Sequence, residues 1–281
     1  MSKQHDPNLA LRVAILAGGS SAEAQVSRNS AAQIEQALVD SGHKTQVIEL
    51  NDHCVQALLT MQPDVVFPAL HGPPGEDGTV QGMLEMLHLP YVGSDVRGSA
   101  LAMDKAIAKN VFVRQGLPVS EDYIVHPGDD LSSTAEAIQA QLGPRVALKP
   151  LNQGSAIGVQ LLPNGGDIAA ALRGSIEYGS CLVEPYIEGR EMTVGVLQLQ
   201  DERLVHPVIE IHTPVGAWYD YEHRYTAGQS EHVLPASISQ DLGHRLQAIA
   251  ASAHQALGLR DLSRADFIVT GEDEIYLLEV N

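Results

Sequence analysis

Basic residues are scarce: 17 Lys and Arg stand against 35 Asp and Glu in 281 residues, a formal net charge of −18. A nucleic-acid surface needs a basic footprint, so nucleic acid is excluded as a partner. The acidity itself speaks for solubility and names no ligand. It also means that any polyphosphate site must build its positive potential locally. Aromatic residues make up 4%, with one Trp and three Phe, so the core must rest on Leu, Ile, Val and Ala. Only Cys54 and Cys181 are present, in neither CxxC nor Cys/His spacing. A zinc site is therefore not expected, and two isolated cysteines suit a reducing compartment. No apolar run reaches the length of a membrane span, and LRVAILA near the start is too short for the apolar region of a signal peptide. A cytoplasmic protein without a membrane partner is the expectation. GxxxxGK[ST] is absent, which excludes a P-loop, and the absence of GxGxxG weakens a dinucleotide reading. There is no internal repeat.

With 44% apolar and 19% charged residues, the chain has the balance of a folded globular protein large enough for two or three lobes. Residues 11–17 form an apolar strand-like run closed by Gly18 and Gly19, and a helical apolar spacing follows from Ser27 to Val39. TQVIEL (45–50) and PDVVFPAL (63–70) read as the next strands. This alternation predicts an α/β region with a parallel, doubly wound sheet, in which ligands gather at the carboxyl ends of strands. From Lys105 to Glu184 the pattern predicts a helix (105–115), a strand ending in Lys149, a Gly-rich turn and the strand CLVEPYI. The remainder is strand-rich, with a helix over 239–257 and a final hairpin-like pair, SRADFIVT and EIYLLEVN, around GEDE.

Three segments carry chemistry. In KPLNQGSAIGVQ (149–160) a lysine ends a strand, and Gly154 and Gly158 flank a turn carrying Ser155. Glycines let backbone N–H groups approach phosphate oxygens while the lysine adds a point charge. An ordinary glycine hairpin beside a surface lysine has the same pattern, and the segment alone does not decide. At the end of the chain, Arg264 and Asp266 alternate on one strand, and Glu279 and Asn281 on the next. Pairing the strands would set Asp, Glu and Asn side by side as hard oxygen ligands of the kind Mg²⁺ takes, with Arg264 beside them to stabilise a developing anion. A polar stripe on a plain hairpin is the competing reading. His71 directly follows an apolar strand and opens HGPPGEDG, a density of Gly and Pro unusual for a mere connection. A lone histidine there also serves as a turn residue.

Seven blocks in register resemble the D-alanine–D-alanine ligase family of the ATP-grasp superfamily: LAGGSSAEAQVS (16–27), HGPPGEDGTVQG (71–82), PYVGSDVRGSALAMDKAIAK (90–109), KPLNQGSAIGV (149–159), GREMTVGV (189–196), WYDYEHRY (218–225) and RADF…YLLEVN (264–281). The resemblance covers nearly the whole chain. It implies an ATP-grasp fold with an N-terminal substrate-binding α/β domain (1–104), a central lobe with the Gly-rich phosphate loop (105–184) and a C-terminal lobe with a lid and the metal site (185–281). It implies ATP-dependent joining of two D-alanines through an acylphosphate for peptidoglycan precursors, ATP and two Mg²⁺ ions with Mn²⁺ able to substitute, and a homodimer.

Residue by residue, the resemblance places Glu23 on the ammonium of the first D-alanine, with Ser155 and Tyr225 closing over it. Lys105 and Lys149, with Gly154 and Ser155, match the phosphate contacts. Glu184, Pro185, Tyr186 and Ile187 match the adenine hinge, and Glu191 the ribose ligand. His71 and Arg224 fall on the substrate side. Asp266, Glu279 and Asn281 match the metal ligands, and Arg264 the arginine that stabilises the transition state. A lid over HTPVGAWYDYEHRYTAG (212–228) is expected to exclude water.

Three departures accompany the match. Ala156 replaces a second serine common in the family, a change that leaves backbone contacts possible. Arg224 stands where lysine is common; its charge is kept but its fork geometry differs, which bears on the second substrate. The chain also stops at Asn281, where members continue with a turn and a helix, so a truncated member is expected. Tyr225 accompanies peptide-forming members, whereas ester-forming D-alanyl–D-lactate ligases carry Phe there. A dipeptide ligase of other specificity and a catalytically impaired ATP- or amino-acid-binding homologue are the alternatives.

Overall fold

The computed structural model describes residues 9–200, 202–214, 218, 221–226 and 228–281. The chain divides into two compact units, Met1–Val96 and Arg97–Asn281.

In the first unit, β1 (Arg12–Ala17), α1 (Ala24–Asp40), β2 (Lys44–Glu49), α2 (Cys54–Met61), β3 (Val65–Pro68) and α3 (Thr79–Met86) alternate. The three strands form a parallel sheet ordered β2-β1-β3. Successive side chains of β1 point to opposite faces, and both faces are covered. Val13, Ile15 and Ala17 pack with Ala31, Ile34 and Leu38 of α1. Ala14 and Leu16 pack with Cys54 and Leu58 of α2 and with Val80 and Leu84 of α3. This is the doubly wound layer that the sequence alternation predicts.

The second unit begins within α4 (Val96–Met103) and continues through α5 (Lys105–Arg114), β4 (Tyr123–Val125), α6 (Leu131–Leu142), β5 (Val146–Pro150), β6 (Gln160–Leu162), α7 (Ile168–Ser175) and β7 (Cys181–Pro185). Strands β4-β7-β5-β6 make an antiparallel sheet. Its inner residues Val125, Val146, Leu148 and Val183 pack on Ile138 of α6 and Leu172 of α7. Asp104, Asp130 and Asp167 cap α5, α6 and α7, each accepting N–H bonds of the first turn, a contribution of about 1 kcal/mol per helix.

β8 (Arg190–Leu199), β9 (Glu202–Val205), β10 (Ile209–His212), α8 (Tyr221–Tyr225), β11 (Glu231–Val233), α9 (Gln240–Leu257), β12 (Leu262–Val269) and β13 (Ile275–Val280) complete the unit. A second antiparallel sheet runs β11-β10-β8-β12-β13, with β9 pairing β8. One face of it packs on α9: Met192, Val194, Val196, Ala265 and Phe267 meet Leu242, Leu246, Ala250, Ala253 and Leu257. The helix starts where the Ser239 hydroxyl accepts the Leu242 N–H at 3.2 Å and ends at left-handed Gly258. The other face carries Arg264 and Asp266 of β12 and Glu279 of β13. RLVHPVIEI, a single apolar stretch in the sequence, divides into β9 and β10 on either side of His206, Pro207 and Val208. Among the described residues no helix is long and apolar enough to cross a membrane.

Candidate active site

A cavity of about 410 Å³ opens in the second unit, lined by Lys105, Lys149, the Gly-rich loop, the stretch Glu184–Ile187, Glu191, Arg224 and Glu279. β5 ends at Pro150, and its neighbour β7 aligns Lys149 with Leu182 and Ala147 with Glu184. Beyond Pro150 the chain turns through Ser155 at φ 49° and Ala156 at φ 60°, both left-handed, before Gly158 at φ 71°. A Cβ at Gly158 would lie 2.5 Å from the Tyr178 ring and 2.8 Å from Pro150, so the turn demands glycine there on both conformational and steric grounds. Gly154 sits ahead of the turn and lines the cavity with Ser155 and Ala156. The Lys105 ammonium donates to the Gln153 carbonyl at 2.7 Å and ties the loop to the start of α5. The Ser155 hydroxyl and the Tyr225 phenol are 2.7 Å apart.

Glu184 is the most heavily engaged acid of the site. It is buried, yet Oε1 receives Lys109 Nζ at 2.6 Å and the Ser120 hydroxyl at 2.7 Å, while Oε2 receives Lys149 Nζ at 2.6 Å. Burial alone would push this carboxyl up, but the Lys149 and Lys109 ammoniums hold it down at about 2. Burial likewise opposes the charge of Lys149, and the surrounding acids, Glu184 foremost with Glu279 and Glu191, outweigh it and raise the lysine above its ordinary value. Next to Glu184, the Tyr186 N–H donates to the Arg145 carbonyl at 2.8 Å, and the Arg145 guanidinium lies 5.5 Å from the Tyr186 ring centroid. Pro185, Tyr186 and Ile187 line the cavity.

At the cavity's other side, Asp266 of β12 stands opposite Glu279 of β13. The register shifts beside this pair: Asp266 faces Glu279 while Phe267 faces Leu277, so Leu278 is an extra residue. This bulge turns Leu278 and Glu279 both toward the cavity while Leu277 stays in the core. Arg264 and Asn281 exchange backbone hydrogen bonds at 2.8 Å, and Asn281 Nδ2 donates to Asp266 Oδ2 at 3.1 Å. The expected oxygen donors are therefore gathered on one face. Arg264 grips Asp266 with two bonds, 2.9 and 2.8 Å, and Lys105 lies 3.3 Å from Glu279. Against burial, Lys105, Arg224, Lys149 and Arg264 depress the Glu279 carboxyl. Among the described residues no group of three or more His, Cys, Asp and Glu is gathered for a metal. Two carboxylates and an amide oxygen instead match a hard divalent cation that completes its shell with phosphate oxygens and water.

Three features of the site escape the sequence reading. Lys109 follows Lys105 by one helical turn, a spacing that places both on one face of α5, and this is the signal that could have found it. Ser120 gives no such signal. The Arg190 guanidinium binds both oxygens of buried Glu210, and His212 lies 3.0 Å from the same carboxylate. All three line the cavity, but their pairing across β8 and β10 depends on sheet register. Of the expected lid, residues 215–217, 219, 220 and 227 lie outside the described residues. Trp218 and Arg224 line the cavity.

Glu23 and His71 belong to the first unit. Glu23 is buried at the start of α1, and a Cβ at Gly72 would lie 2.8 Å from its Oε2, so glycine there leaves room for the carboxylate. His71 Nε2 is 3.1 Å from the Ser30 hydroxyl, and its carbonyl accepts from Ser21 Oγ at 2.7 Å.

Two antiparallel sheets around a cavity with paired lysines, a Gly-rich loop and facing carboxylates define an ATP-grasp protein. A family profile described as the D-ala D-ala ligase C-terminus matches residues 111–281, and one described as the D-ala D-ala ligase N-terminus matches residues 52–94. The chain is 41% identical over 271 residues to a D-alanine–D-alanine ligase of Geobacter sulfurreducens, covering 96% of this chain and 83% of that protein. The crystal structure of D-alanyl-alanine synthetase A from Vibrio cholerae superimposes with a TM-score of 0.85 at 26% identity, covering 97% of this chain and 88% of the other. The D-alanine–D-alanine ligase of Bacillus anthracis complexed with ATP gives 0.80 at 26% identity, covering 97% and 86%. The chain belongs to the D-alanine–D-alanine ligase family.

Proposed function

We propose that the chain joins two D-alanines into D-alanyl-D-alanine, cleaving ATP to ADP and phosphate, as a supplier of peptidoglycan precursors. The observation that carries this reading is the convergence on one cavity of Lys105, Lys149, the Gly-rich loop and Glu279, with Asp266 opposite Glu279 on the neighbouring strand. The relative solved with ATP supports the choice of nucleotide. The proposed organisation keeps a substrate-binding region over 1–104, a phosphate-loop lobe over 105–184 and a metal-site lobe over 185–281. Family likeness further supports a cytoplasmic homodimer.

Two steps follow. A carboxylate oxygen of the first D-alanine attacks the γ-phosphorus of ATP, the bond to the bridging oxygen breaks, and ADP leaves, giving an acylphosphate. The amine of the second D-alanine then attacks the acyl carbon, loses a proton and expels phosphate. Little covalent work falls to the protein in either step; positioning and charge neutralisation dominate. In this reading Lys105 and Lys149 hold phosphate oxygens while backbone N–H groups of the loop at Gly154 and Ser155 orient them. Main-chain groups of Pro185–Ile187 accept the base and Glu191 the ribose. Glu23 holds the first ammonium, with His71 on the same substrate side, and Arg224 faces the second substrate's carboxylate. Arg264 stabilises the tetrahedral oxyanion. Ser155 and Tyr225 tie the loop to the lid segment. A divalent cation, Mg²⁺ or Mn²⁺, when held by Asp266, Glu279 and Asn281 supplies further neutralisation of phosphate charge.

The test is phosphate release from MgATP with D-alanine, with L-alanine, with D-alanine plus D-lactate or D-serine, and with no amino acid. Release that requires D-alanine, with the dipeptide as product, is expected. Release independent of D-alanine, or an ester or mixed product dominating, would sink the assignment.

A further inference from the structure

Lys109 has no place among the cavity-lining residues, yet it is buried and fully engaged. Its ammonium lies 2.6 Å from Glu184 Oε1, 3.2 Å from Asp122 Oδ1 and 3.1 Å from the Ser120 hydroxyl, with the Glu121 carbonyl at 3.4 Å. Glu184 thus divides one negative charge between two ammoniums, Lys109 on the interior side and Lys149 on the cavity side. Asp122, whose side chain is 31% exposed, draws on Lys109 from the solvent side.

Building on the ATP reading above, we infer that Lys109 is a positioning residue that sets the positive potential of the nucleotide cavity by sharing Glu184 with Lys149. A lone Lys149–Glu184 pair would be neutral and would offer phosphate little. With Lys109 on the other oxygen the trio carries a net charge of about +1, which part-exposed, water-screened Asp122 offsets only in part from the solvent side, and Lys149 is the member that faces the cavity. In a chain whose net charge is −18, this local surplus matters more than it would on a neutral background. The same contact fixes direction: Glu184 is held from behind, so Lys149 is held at the cavity wall. Placing Lys109 one turn beyond Lys105 lets a single helix serve the phosphate loop through Gln153 and the cavity charge through Glu184.

The inference makes two predictions of opposite sign. Lys109→Met removes the shared cation, and MgATP should bind on the order of tenfold more weakly, because a unit charge within about 10 Å at an effective dielectric near 20 acts on the phosphates at that scale. Asp122→Asn removes the acid that competes for Lys109, and MgATP should bind roughly two- to fivefold tighter by the same Coulomb argument. Uncharged adenosine should bind both variants as it binds the parent chain. Titration calorimetry reads MgATP, and displacement of a fluorescent adenosine analogue reads adenosine. An equal loss for adenosine and MgATP in Lys109→Met would assign Lys109 to packing alone and overturn the inference. So would unchanged or weaker MgATP binding by Asp122→Asn, which decides the matter even if Lys109→Met does not fold. A parent chain that binds no MgATP would instead overturn the nucleotide reading, and this inference with it.

Discussion

Glu184 and Asp266 are both acids of one site, but their surroundings differ in kind. Glu184 is closed in, with every oxygen taken by a lysine or a serine. Asp266 lies on the open face of a hairpin, held by Arg264 and by the Thr193 hydroxyl at 2.6 Å. A buried carboxylate held by a buried and a part-buried ammonium cannot give them up without leaving charge unpaired. An acid with a half-exposed arginine can exchange it for a cation that binds better. The comparison separates an internal counter-ion, which sets stability and field, from an exchangeable ligand, which serves the reaction.

The largest effect should follow from the exchangeable side. Asp266→Asn should lower kcat by about 10²- to 10³-fold, the scale of removing one electrostatic stabiliser from a transition state. Its unfolding free energy should stay within about 1 kcal/mol of the parent chain, because the pair with Arg264 is partly solvated. Steady-state kinetics and urea unfolding on the same preparation check both halves. A large loss of stability would collapse the distinction drawn here.

Glu184→Gln should show the converse. It keeps the shape but takes the shared anion from cavity-facing Lys149 and from buried Lys109, which keeps only part-exposed Asp122, and breaking such a pair costs up to about 3–5 kcal/mol. Urea unfolding near neutral pH measures it. A change below about 1 kcal/mol would mean the lysines find other partners and would remove the internal counter-ion from the comparison.

The pH dependence sharpens the same point. Held at about 2 against an ordinary 4.5, the Glu184 carboxyl binds its proton more weakly in the folded chain than in the unfolded one. Its contribution to stability is therefore complete above about pH 4.5 and is lost as pH falls toward 2. The difference between these values corresponds to about 3 kcal/mol as an upper scale. Stability of the parent chain and of Glu184→Gln, followed from pH 6 to about 2.5, should converge on acidification. Parallel curves would show that Glu184 does not titrate in that window.

Much of this site was legible in residue order. The parallel layer follows from alternating strand and helix patterns, and the Gly-rich turn announces itself by Gly154 and Gly158. Asp266 and Glu279 were expected to meet, but strict alternation along β13 would have sent Glu279 to the same face as buried Leu277. The bulge at Leu278 rescues it, and no local signal in IYLLEVN marks that extra residue. The pairing of Arg190 with Glu210 was equally invisible, because it depends on how β10 lies against β8. Lys109 was visible as a residue but not as a partner of Glu184, 75 positions away. Local pattern names the elements and their chemistry, whereas register decides which groups become buried together.

The smallest expected effect provides the control for the whole contrast. Arg145 and Glu188 form an ion pair at 3.2 Å, with Glu188 four residues after Glu184, but their side chains are 47% and 83% exposed. Water screens both charges, and ordering two long side chains offsets most of the Coulomb gain. Glu188→Ala should therefore shift unfolding free energy by less than about 0.5 kcal/mol. Arg145 would still be anchored, since its Nε donates to the Pro163 carbonyl at 2.6 Å. Denaturant midpoints at matched slopes measure the difference. A shift comparable to that of Glu184→Gln would show that proximity to the cavity, and not burial of the ion pair, governs what these acids contribute.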